Sequence, residues 1–249
     1  MLKTSFIPAC QYGSKRLTIV LHGLGDSMEG YRFLPSALAV SDMNYLLVNA
    51  PDEYFGGFAW YDLARQSRSG VERSRLELEA LLERQAEAGF APEKTFLFGF
   101  SQGCLMTMET GLRYPHRLAG LIGISGYVLD APTLVRDLSP MAKNQRILWT
   151  HGTKDPILPV LKVKEQTVQL RSAGLDIEWR EFNKAHTIAG EEELAVVRTF
   201  MKNSEGIFSK RAYRVMEHLI TYEIIETTHA QYFGCQCFGH ALGDPSCGR

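Results

Sequence analysis

The stretch FLFGFSQGC, residues 96–104, decides how this chain is read. A hydrophobic run stops on a small polar residue, Ser101, with Gly99 and Gly103 two positions away on either side. Strand signal precedes the serine and helix signal follows it. A Gly-x-Ser-x-Gly at such a turn presents a nucleophilic serine, because the glycines make room for a tight bend that lifts the hydroxyl above the sheet edge. The same pattern also arises by chance in a glycine-rich protein, so its meaning depends on the rest of the chain.

Outside this stretch, short β-rich apolar segments at 17–21, 45–49, 118–124, 146–151 and 176–182 alternate with longer helical patterns. Several are nearly continuous in apolar residues, as expected of parallel strands covered on both faces. Residues 65–88 carry Val71, Leu78, Leu81, Leu82 and Ala86 at helical spacing, and Gly89 followed by Pro92 ends the pattern. Further helices are predicted from Gln102 to near Tyr114, over 160–173 and over 191–201. These stripes read as packing surfaces rather than cofactor boxes. The expected class is α/β, with one mostly parallel central sheet and helices on both faces.

The 249 residues are 45% hydrophobic and 22% charged, enough for one large α/β domain that needs no disulfide or metal. The 27 basic and 28 acidic residues nearly balance, so no global field draws the chain to nucleic acid or an anionic surface. No run of about 18 apolar residues occurs and the N-terminus lacks a signal-peptide pattern, so no integral membrane association and a cytoplasmic location are expected. The odd count of five cysteines fits a reducing compartment. The regular alternation stops near residue 203. The expected division is therefore a catalytic domain over 1–203 and a C-terminal extension of unknown structure over 204–249.

A serine hydroxyl needs a base within hydrogen-bond reach and a group that orients the base. In chain order serine, acid, histidine, ILWTHGTKDPILP places Asp155 just past a strand, and FNKAHTIAGEEEL places His186 just past another. The spacings leave room for helical crossovers, so all three side chains can meet over the carboxyl ends of the strands. Asp130 and Asp137 are the alternative acids, with a less clear strand-then-loop context. His22 and His151, at strand ends before glycine, read as satisfied structural imidazoles; His116 reads as surface, and His218, His229 and His240 belong to the tail. The glycine-rich VLHGLGDSMEG follows the first strong strand. Its Leu24 N–H, paired with the N–H of Gln102, would complete an oxyanion hole. A phosphate loop is the rival reading, but no Lys-Ser/Thr pair follows the glycines.

These residues carry a family likeness. The chain resembles the phospholipase/carboxylesterase family of α/β-hydrolases, which includes the acyl-protein thioesterases, through LHGLGDSMEGYRFLP, NAPDEYFGGFAWYDL, LFGFSQGCLMT, THGTKDPILPV and AHTIAGEEEL. Together these motifs span about residues 17–202. The resemblance implies an α/β-hydrolase fold and a Ser101, Asp155 and His186 triad. It also implies Leu24 and Gln102 as oxyanion donors, and hydrolysis of carboxylic esters or thioesters without a cofactor or metal. It further implies that Trp60 and Tyr61 lie near the acyl group; Phe55, Phe58, Ile157 and Leu158 join them as candidate groove residues, although aromatic residues at a sheet edge also pack structurally. The implied partners are a small-molecule ester or thioester, a lipid or an acylated protein. Two positions depart from the family pattern, Cys104 in place of a third glycine and Ala185 in place of the glycine before the histidine.

Two rival functions have a sequence basis. A silent binding scaffold on the same fold would normally lack a triad member, and all three are present here. In the tail, Cys235, Cys237, Cys247, His229 and His240 supply zinc-type ligands, but in no recognised zinc spacing. The oligomeric state has no sequence signal.

Overall fold

The computed structural model describes residues 1–63 and 68–203. Among them, the first α/β segments are β1 (Thr4–Ile7), β2 (Arg16–Leu21), α1 (Leu34–Leu38) and β3 (Met43–Val48). A short hairpin, β4 (Asp52–Tyr54) and β5 (Gly57–Ala59), comes next, then α2 (Arg68–Glu87). The remainder alternates regularly: β6 (Thr95–Phe100), α3 (Gln102–Gly111), β7 (Gly120–Ile124), α4 (Ala131–Arg136), β8 (Arg146–Gly152), α5 (Val160–Ser172), β9 (Asp176–Phe182) and α6 (Glu191–Lys202).

Seven of these strands form one sheet in the order β1-β3-β2-β6-β7-β8-β9. Only β1 runs antiparallel, Thr4 facing Val48 and Ile7 facing Tyr45. The parallel strands are filled on alternate positions from opposite sides. Leu17, Ile19, Leu21 and Leu97 pack with Leu78, Leu105, Met108 and Leu170 of α2, α3 and α5. Val20, Phe96 and Phe98 face the other way, onto Leu34, Leu38, Leu194 and Val197 of α1 and α6. Because side chains alternate along a strand, both faces need an apolar cover, which accounts for the continuous hydrophobic runs in the sequence.

All six anticipated strands are present, 95–100 and 176–182 with the expected ends and the other four with ends shifted by a residue or two. Strand β1 and the β4–β5 hairpin were not anticipated. In β1 exposed and half-buried residues alternate over four positions, too short a run to stand out in sequence. The first residues of the expected helix at 65–88 and the whole C-terminal extension lie outside the described residues, as do the cysteines and histidines offered there as zinc ligands. No helix among the described residues is long and apolar enough to cross a membrane.

Candidate active site

The turn at the end of β6 explains the two glycines. A Cβ on Gly99 would lie 2.1 Å from the Gly103 carbonyl oxygen, and one on Gly103 would lie 2.1 Å from the Leu21 carbonyl oxygen. No side chain fits between the helix start and the strands at that separation, so α3 approaches β6 and β2 only through hydrogen atoms. Between them Ser101 takes φ 53° and ψ −115°, a strained conformation for a residue with a Cβ. Its N–H is held by the Ile124 carbonyl of β7 at 2.9 Å.

The other two residues arrive from the ends of β8 and β9. His186 Nε2 lies 2.9 Å from Ser101 Oγ, and His186 Nδ1 lies 2.7 Å from Asp155 Oδ2. An ionised carboxylate only accepts, so Nδ1 carries the proton and Nε2 accepts from the serine hydroxyl. The second carboxylate oxygen accepts the N–H groups of Ile157 and Leu158, both at 2.9 Å. Burial alone would push the Asp155 carboxyl up, but the Leu158 N–H, His186 and the Ile157 N–H outweigh it and hold the group below the usual carboxylate range. The Phe100 ring packs on the imidazole with centroids 5.1 Å apart.

The rival acids are engaged elsewhere. Asp130 caps α4 by accepting the Thr133 N–H and pairs with Arg68, while Asp137 pairs with Arg113. His22 is fully buried: its Nε2 accepts the Ala50 N–H at 3.0 Å and its Nδ1 donates to the Gly23 carbonyl. Burial lowers its pKa, so the ring is neutral. His151 is also fully buried, stacked on Trp179, with Nε2 donating to the Leu158 carbonyl at 2.8 Å. His116 is exposed.

The loop after β2 lies against the serine: a Cβ on Gly23 would sit 3.4 Å from Ser101 Cβ. The Leu24 N–H beyond it makes no backbone hydrogen bond among the described residues. Gln102 opens α3, so its N–H is one of the donors that a helix start leaves without an intrahelical partner.

Trp60 and Tyr61, expected beside the acyl group, are fully buried. They connect the two candidate oxyanion segments. The Gln102 side-chain amide spans the pair, accepting the Trp60 N–H at 2.8 Å and donating to the Tyr61 carbonyl at 3.0 Å. The Trp60 indole donates to the His22 carbonyl at 2.9 Å, and the Tyr61 hydroxyl meets that of Tyr127. Phe58 is half-buried, its ring centroid 6.3 Å from that of His22. Ile157 is 65% exposed and borders a cleft of about 260 Å³ with Tyr127, Leu158, Pro159 and Val163. Of the departures from the family pattern, Cys104 is fully buried beneath Gly123 and Gly126, and Ala185 is exposed.

Residues 3–205 match the phospholipase/carboxylesterase family. The chain belongs to that family. The acyl-protein thioesterase 1 of Schizosaccharomyces pombe is 31% identical over 195 residues, covering 72% of this chain and 87% of that protein. The Candida albicans acyl-protein thioesterase 1 is 30% identical over 220 residues, 79% of this chain and 95% of that one. A rice relative named a probable inactive carboxylesterase is 25% identical over 187 residues, 68% of this chain and 76% of that one. Among solved structures, esterase PE8 is similar with a TM-score of 0.72 at 29% identity, covering 81% of this chain and 98% of that chain. This phospholipase/carboxylesterase member has the α/β-hydrolase fold and is a hydrolase of carboxylic esters or thioesters.

Proposed function

We propose that hydrolysis runs through an acyl-enzyme on Ser101, and the observation that carries this is the unbroken hydrogen-bond chain from Ser101 Oγ through His186 to Asp155. As Oγ bonds to the substrate carbonyl carbon, its proton passes to His186 Nε2. Collapse of the tetrahedral adduct breaks the bond to the alcohol or thiol, which takes that proton. Water then repeats the sequence, giving its proton to His186 and its hydroxyl to the acyl carbon, and Ser101 is released. Asp155 fixes the tautomer and faces the imidazolium as it forms. The Leu24 and Gln102 N–H groups receive the developing oxyanion, a contribution of about 10² to 10³ in rate per donor.

The cleft beside Asp155 supports an acyl site bordered by Ile157, with Phe58 as a further candidate contact. Its apolar lining favours short to medium acyl esters, with long-chain lysophospholipids and acylated proteins as the alternative suggested by the thioesterase relatives. Action in the cytoplasm on a small ester or thioester, a lipid or an acylated protein is the accompanying proposal. The silent-scaffold reading has one point in its favour, the rice relative's name, and fails to explain why the triad residues are within hydrogen-bond distance.

The deciding experiment is intact-mass detection of a fluorophosphonate adduct on native protein and on Ser101→Ala. One adduct on the native chain, none on the variant, and a loss of at least about 10⁴ in kcat on p-nitrophenyl esters are expected. No adduct on folded native protein would bring the silent scaffold forward. A chain-length series of esters and thioesters then ranks the acyl groups.

A further inference from the structure

His186 sits in the segment 183–190 between β9 and α6, which has no helix or strand of its own. A base carried on irregular backbone loses its geometry unless something other than a regular ladder fixes it. Two charged side chains that take no part in the proton transfers do so here. Lys184 stands two residues before His186, and Glu193 stands seven after it in the first turn of α6; their side chains are 3% and 0% exposed.

The Lys184 ammonium donates to Glu193 Oε1 at 2.5 Å. The Thr150 hydroxyl on β8 donates to the same oxygen, and the Ala189 N–H donates to Oε2 at 2.7 Å. One buried carboxylate therefore grips the segment on both sides of His186 and ties it to β8, an interior strand of the sheet. The Lys184 carbonyl also accepts the Lys154 N–H at 3.1 Å, one residue before Asp155, so the base and acid segments share this attachment. The segment lies directly on β8: a Cβ on Gly152 would approach the Lys184 carbonyl oxygen to 2.4 Å. Apolar side chains would fill the same space without the desolvation of two charges, so packing alone does not account for the pair.

We propose that Lys184 and Glu193 are positioning residues, their buried ion pair holding the His186 segment so that the imidazole keeps its bonds to Ser101 and Asp155 through the reaction. The inference rests on these three residues being the triad.

The test is the double variant Lys184→Met/Glu193→Gln, which removes both charges, leaves neither stranded and keeps an acceptor for the Ala189 N–H. Ester kinetics are measured at a temperature where circular dichroism shows native fold. A displaced base should lower kcat by about tenfold while KM stays within about twofold, since displacement of a reacting group by about 1 Å costs up to about 10² in rate. Fluorophosphonate labelling should slow by a similar factor. A native-like variant with native kcat overturns the proposal. Should the double variant not fold, Thr150→Val removes one hydroxyl from the same carboxylate; about threefold lower kcat at constant KM is expected from a loosened support, and no change overturns the proposal. Native protein that takes no fluorophosphonate adduct defeats the triad reading and this inference with it, whereas normal native labelling with unaltered variants defeats the inference alone.

Discussion

The Ser101 turn and the His186 segment face each other across one hydrogen bond and are built on opposite principles. The turn is held by shape: Gly99 and Gly103 allow backbone to meet backbone. The His186 segment is held by charge, with Lys184 and Glu193 buried beneath it. Under the proposed mechanism the difference follows from what each must do. A nucleophile in a strained conformation needs neighbours that cannot yield, and close-packed backbone supplies them. A base that alternates between neutral and protonated forms needs a fixed ring and oriented polar partners, and hydrogen bonds specify those directions.

The largest expected effect tests the shape half. Gly103→Ala places a methyl group 2.1 Å from the Leu21 carbonyl oxygen, which belongs to a central strand and cannot turn aside. Overpacking of this kind costs about 1–3 kcal/mol or more, so a large fall in melting temperature or loss of folded protein is expected. A variant that melts like native protein would show that the turn yields after all.

A smaller effect is expected where shape meets the candidate oxyanion hole. Trp60→Phe keeps an aromatic ring but deletes the pyrrole part of the indole with the N–H given to the His22 carbonyl, leaving a small cavity and a buried acceptor without its indole partner, the latter alone costing about 1–3 kcal/mol. Because the link joins the Leu24 and Gln102 segments, kcat should fall while KM holds. A variant that loses stability but keeps native kcat would assign Trp60 to packing alone.

The smallest effect separates the halves by pH. The Asp155 carboxyl is depressed in the folded protein, so its contribution to stability is complete above its unfolded value of about 3.9 and is lost as pH falls through the lower folded value. Melting temperature measured from pH 5 downward should therefore drop more steeply below about pH 4 in the native chain than in Asp155→Asn. Parallel curves would mean that the charged network around Asp155 does not contribute to folding in this range.

Much of this architecture is legible without coordinates because it is periodic. Continuous apolar strands announce a doubly covered sheet, and the glycines around Ser101 announce a close approach, since both follow from local geometry. Asp155 and His186 stand out by their order and their place after strands. Trp60 shows the limit: an aromatic residue near a sheet edge reads as a groove wall, and only its full burial and its bond to His22 reveal an internal tie.

The sequence by itself determined the strand-turn-helix at Ser101, the alternation of strands and helices, and the three side chains at the sheet edge, because chain geometry and residue chemistry fix these over short spans. The tertiary structure alone decided which polar residues are buried together. Lys184 and Glu193 sit in stretches that look like solvated surface, and no local pattern distinguishes a charge in water from one sealed against its partner. That distinction depends on β8, the His186 segment and α6 meeting in space, and so on contacts that close only when the whole sheet has formed.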